Sequence, residues 1–167
     1  MNETEIFDKL DKLRSLAKVN LEEEGSVTST LFINIKNKGV KVVLLDFKTK
    51  NDKVNFVHLL STLISTGNVL EYLFVAEAWM ANYKDQHKMQ DDYEKYGSVY
   101  GMPDKKECII FQYCTQEKQI MSIAEIIRTN DDVVLGEWDT KENPENEGIF
   151  QSTLFGNLFS KAKAQWN

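Results

Sequence analysis

Apolar residues recur at helical spacing over the first two dozen positions. Ile6, Leu10, Leu13 and Ala17 form one stripe, widened by Phe7 and Leu16, which predicts an amphipathic helix. Asn2 with Glu5 three residues on offers a capping box, and Gly25 offers a left-handed stop. The pattern then changes to period two. Residues 27–36 place Leu31, Ile33 and Ile35 on one side, Asn37-Lys38-Gly39 supplies turn chemistry, and residues 40–48 return. That returning strand is apolar on both sides (Val42 and Leu44 against Val43, Leu45 and Phe47), the pattern of a central strand covered on both faces. A second helix follows, with Asn51 or Asp52 as its cap, Val54, Val57, Leu60 and Ile64 on its apolar side and Gly67 at its end.

Residues 69–82 read as a long strand. One side is continuous core (Leu70, Tyr72, Phe74, Ala76, Ala78, Met80), and the other mixes Val69, Leu73, Val75 and Trp79 with Glu71 and Glu77. Residues 83–106 are a long polar connection, in which 86–96 has helix-forming composition without an apolar stripe. Strands at 107–115, 119–128 and 132–139 form a meander, 141–148 is an acidic surface loop, and 148–165 closes the chain as a helix bearing Phe150, Phe155 and Phe159. The expected architecture is one α+β domain over residues 1–167, a mostly antiparallel sheet of about six strands in the order α-β-β-α-β-β-β-β-α.

Composition narrows the function classes. A formal charge of -6 and only two arginines, Arg14 and Arg128, argue against nucleic acid as the main ligand, because phosphate binding draws on cations and guanidinium forks. The Lys36, Lys38 and Lys41 patch is read as a solvated hairpin tip. The longest unbroken apolar run, residues 42–45, is far too short to cross a membrane, and the first ten residues lack the charge and hydropathy pattern of a signal peptide. Cys108 and Cys114 lie too far apart along one strand to bridge each other, so reduced cysteines in the cytoplasm are expected.

Catalytic motifs are missing: there is no Gly-rich phosphate loop, no GxSxG and no HExxH. His58 and His87 are the only histidines, and neither a metal nor another cofactor is expected. Asp46-Phe47-Lys48, at a predicted strand end, has the carboxylate-x-Lys spacing of the restriction-endonuclease-like fold, in which the acid holds Mg²⁺ and the lysine orients water. With Glu77 it makes the alternative catalytic set, although the aspartate such sites place on the preceding strand is missing. Strand carboxylates Glu71, Glu77, Glu125, Glu137 and Asp139 would, if the strands bring them together, form a mixed acidic and apolar face. Tyr93, Tyr96 and Tyr100 in the long connection, with Trp79 nearby, would roof a small-molecule pocket in a further alternative.

Glu77-Ala78-Trp79-Met80, followed by a polar loop and then Pro103-Asp104-Lys105-Lys106-Glu107, resembles a stretch found in small bacterial and phage α+β proteins. The resemblance covers about a third of the chain and implies no activity. The leading expectation is a non-enzymatic interaction protein that contacts a protein partner and self-associates, a homodimer being one form. The expected contact residues are Glu71, Glu77, Trp79, Tyr93, Tyr96, Tyr100, Glu125 and Glu137.

Overall fold

Antiparallel pairing organises the chain from its middle outward. A computed structural model describes residues 5–82, 85–142 and 158–159. Its strands are β1 (Thr30–Ile35), β2 (Gly39–Leu44), β3 (Val69–Met80), β4 (Lys106–Thr115), β5 (Gln119–Arg128), β6 (Val133–Leu135) and β7 (Asp139–Glu142). They lie side by side as β2-β1-β3-β4-β5-β6, with β7 also on β5, and every pairing is antiparallel. The helices are α1 (Leu10–Glu24), α2 (Lys50–Ser65) and α3 (Gln86–Tyr96), with 3₁₀ turns at Phe7–Lys9 and Val99–Gly101. The fold is α+β, as the patterning predicts.

The two faces of the sheet carry separate cores. On one, Ile6, Leu10, Ala17 and Leu21 of the N-terminal segment and α1 bury Leu73, Val75, Ile109, Phe111, Tyr113, Ala124 and Leu135. On the other, Leu60 and Ile64 of α2, together with Leu158 and Phe159, cover Leu31, Ile33, Tyr72, Phe74 and Cys114. Phe159 stacks on Tyr72 with ring centroids 5.7 Å apart. This short piece of the expected C-terminal helix is therefore core, whereas Phe150 and Phe155 lie outside the described residues, as does the expected Asn2 cap.

Three local expectations change. The cap of α2 is Thr49, not Asn51 or Asp52. Its hydroxyl accepts the Asp52 N–H at 3.1 Å while the Asp52 carboxylate accepts the Thr49 N–H at 2.8 Å, a reciprocal pair a single residue cannot make. Residues 132–139 do not form one regular strand. β6 and β7 follow the same side of β5 but are offset by a bulge, residues 136–138 standing opposite 124 and 125. Pairing then continues to Glu142, into the segment expected to be loop.

The third change matters most. β2 is an edge strand, not a central one: β1 lies on one side of it, and no described residue pairs with the other. Val42 and Leu44 are 58% and 69% exposed. The hairpin explains why the patterning misleads. Ile35 accepts the Lys38 N–H at 2.9 Å, and Asn37 and Gly39 take positive φ, so the chain reverses within three residues. β3 then pairs with the other side of β1, so β2 is outermost although its alternation would read the same in either place.

Candidate functional site

α1 packs against β6 and the β3–β5 part of its face, while the sheet runs on past it to β1 and β2. The uncovered strip forms a groove of about 580 Å³. Leu13, Leu16 and Ala17 of α1 form one wall, and Phe32, Leu44, Val75 and Phe111 form the floor. Asn20, Glu24, Ser26, Thr28 and Thr30 supply a polar rim. The volume lies within the usual range of ligand clefts, but polar and apolar groups line it about equally and it stands open to solvent. None of the lining residues comes from 83–106, where the aromatic pocket was expected.

The carboxylates singled out by the sequence do not gather. Glu71 and Glu77 point to the α1 face, whereas Glu125, opposite Cys108, points to the α2 face. Each is held within its own chain. Glu71 is fully buried and accepts the Ile6 N–H at 2.8 Å and the Asn34 amide at 2.9 Å, tying the N-terminal segment to the sheet. Burial first, and the neighbouring Glu71 carboxylate second, push the Tyr113 phenol well above its usual range. Glu125 pairs with Lys106 at 2.8 Å. Exposed Glu137 sits in the bulge beside β5, and exposed Asp139 begins β7.

Glu77 belongs to a network the sequence did not reveal. Its carboxylate accepts the Val27 N–H at 2.5 Å and lies 3.8 Å from Arg128. Arg128 also donates to Glu107 at 2.5 Å and to the Gly25 carbonyl at 2.8 Å. A guanidinium from β5 thus provides the cation that the C-terminus of α1, with Glu22, Glu23 and Glu24, lacks in its own last turn. The other arginine is also engaged. Arg14 pairs with Asp11 at 3.0 Å, donates to Ser122, and stands 5.7 Å over the Trp138 ring.

Asp46 and Lys48 follow the end of β2, pair with each other at 2.5 Å and are largely exposed. Between them Phe47 turns inward against Phe56, with centroids 5.6 Å apart, so the motif is a surface connection instead of a strand end. Among the described residues no three His, Cys, Asp or Glu side chains form a metal-binding group, and His58 and His87 are exposed on α2 and α3. Trp79 and Tyr100 do meet, edge to face at 5.5 Å, with the Lys105 ammonium 5.2 Å from one ring and 4.2 Å from the other. Lys105 also donates to the Tyr100 carbonyl, so this aromatic pair is filled by the chain's own cation. Tyr93 is half exposed on α3 and Tyr96 lies beside Lys95. Cys108 and Cys114 are buried thiols, and burial first, then Glu125, raises Cys108 to about 12.

No protein-family model, curated protein or solved structure matches this chain.

Proposed function

We propose that this chain is a non-enzymatic interaction protein and that its contact surface is the apolar groove between α1 and β1–β2. One observation carries the reading. Leu16 and Leu44 are exposed along the groove and Val42 is exposed two positions along β2, while both arginines and the carboxylates Glu71, Glu77 and Glu125 are engaged in holding the fold together. An exposed apolar strip with a polar rim favours contact with a partner, because covering it gains roughly 25 cal/mol per Å². Two unbridged, buried cysteines support a reducing compartment such as the cytoplasm. The Lys- and Asn-rich, Arg-poor composition supports a bacterial or phage origin.

A photo-activated cross-linker at Leu16 tests the reading in cells. Discrete adducts of protein mass are expected from Leu16 and not from Lys95 on α3. Equal labelling from both positions, or none from either, sinks the proposal.

A further inference from the structure

The edge beside the groove has a property the groove alone does not explain. Leu45 donates its N–H to the Ser29 carbonyl at 2.8 Å, and Thr30 stands opposite Leu44. Antiparallel bonding alternates along a strand, so Gly39, Lys41, Val43 and Leu45 direct their N–H and C=O groups toward β1. Val40, Val42 and Leu44 direct theirs outward, where no described residue receives them. The side chains of these same residues make the apolar row on the α1 face, because Val40 and Val42 stand opposite Asn34 and Phe32. Solvated edges are ordinarily guarded by Pro, a bulge or several charges. This one has only Lys41, and its register with β1 runs unbroken from Gly39 to Leu44.

We infer that β2 pairs with β2 of a second copy of this chain, antiparallel about a twofold axis at Val42, joining two sheets into one. The inference rests on the reading of the chain as an interaction protein and names its partner. The register follows from the pattern. With Val42 opposite Val42 of the second copy, Val40 falls opposite Leu44, and every outward N–H and C=O of β2 finds a partner. Centring the axis on Val40 or Leu44 leaves some of them unpaired. The apolar row continues across the axis, and Lys41 falls opposite Val43 of the second copy, so the two Lys41 ammonium groups do not meet. Beyond the strand, the same register sets the hairpin tip with exposed Lys38 beside the connection after β2 of the second copy, where exposed Asp46 is already paired with its own Lys48. A single shared edge is smaller than the roughly 1,600 Å² of a standard interface, so association is expected at micromolar or higher concentration.

Analytical ultracentrifugation of the full chain is the test, with amide hydrogen exchange at low and high concentration beside it. The weight-average mass of the wild type should climb from 19.3 kDa toward twice that value. Over the same range the Val40, Val42 and Leu44 amides should gain protection, whereas Lys41 and Val43 stay protected throughout. Val42→Lys should weaken association about tenfold or more, because two ammonium groups would then meet at the axis. Val42→Pro removes only an outward N–H, and it too should be monomeric. Should the proline variant fail to fold, Val42→Lys at unchanged melting temperature still decides. A wild type that stays at 19.3 kDa, or a Val42→Lys variant that associates like the wild type, overturns the inference. Leu16 cross-links to other proteins would survive that result and leave the groove reading standing; loss of the Leu16 adducts while the dimer persists would do the reverse.

Discussion

The two edges of the sheet are built on opposite plans. At the β6–β7 edge the strand is interrupted by a bulge, Gly136 donating its N–H to the Glu125 carbonyl at 2.8 Å. Exposed Glu137, Asp139 and Glu142 punctuate it. Its inward residues are anchored: Leu135 is in the core, Trp138 meets Phe111 edge to face at 5.2 Å, and Thr140 bonds Ser122 at 2.9 Å. At the β2 edge the strand is regular and mostly apolar, and its exposed residues are anchored to little. A bulged, charged edge resists a further strand; a straight apolar edge invites one. The contrast teaches that one chain can anchor and bulge its sheet at one edge and leave the other edge regular and, among the described residues, unpaired.

If the closed edge owes its order to its anchors, cutting one should cost most. Leu135→Ala should lower stability by about 2–3 kcal/mol, since it removes a buried side chain that the bulge cannot collapse to refill. Urea denaturation reads the loss, and a change within error would show that the edge is held by its backbone alone.

Arg128→Ala comes next. It leaves Glu77 and Glu107 without their shared cation and uncaps the Gly25 carbonyl, for about 1–2 kcal/mol after allowing for partial solvent screening. Arg128→Lys should recover only part of this, because an ammonium cannot span three acceptors as a planar fork does. Full recovery in thermal melts would mean that charge alone matters there.

Cys108 reports whether the closed side ever opens, since it is buried in β4, which only β5 separates from the edge strands. With its pKa raised to about 12, the native thiol should stay unreactive toward disulfide reagents at pH 8 and react at once in denaturant. The sign of the linkage follows. The unfolded thiol ionises from about pH 9 and the folded one does not until about 12, so this contribution is intact below pH 9 and declines as pH rises between the two. Rapid native labelling would show that β5 peels away from β4.

The smallest effect belongs to the open edge. Leu44→Lys at concentrations too low for association should change unfolding free energy by no more than about 0.5 kcal/mol, because the side chain is mostly solvated already. A loss of several kcal/mol would mean that Leu44 belongs to the core, and the contrast between the edges would disappear.

Much of the architecture could be read directly. The apolar stripe of the N-terminal segment and α1 is buried as expected at Ile6, Leu10 and Ala17, and β3, β4 and β5 lie almost where period-two alternation puts them. α3 spans 86–96 even though its faces are nearly all exposed, because Asp85 caps it by accepting the His87 N–H at 2.9 Å and Gly97 ends it with positive φ. The candidate site was far less legible. Asp46, Lys48, Glu71, Glu77 and Glu125 stand out in the sequence as unusual residue types, yet the structure leaves Asp46 and Lys48 paired with each other on the surface and divides the glutamates between the two faces. Leu16, Phe32 and Leu44 look like ordinary core positions and line the groove instead. The one available signal was the two-sided apolar pattern of residues 42–47, which fits a covered strand and an uncovered edge equally well.

What the sequence determined alone is therefore local: the period of each segment, its turns and the side on which its apolar residues fall. These depend on neighbours within a few positions, where propensity, capping and alternation act. Strand order, the carbonyl at which Arg128 ends its reach and the strands α1 leaves bare were decided only in the tertiary structure. Each is a contact between residues distant in the chain, and the same alternation is compatible with several pairings until the cores on both faces select one.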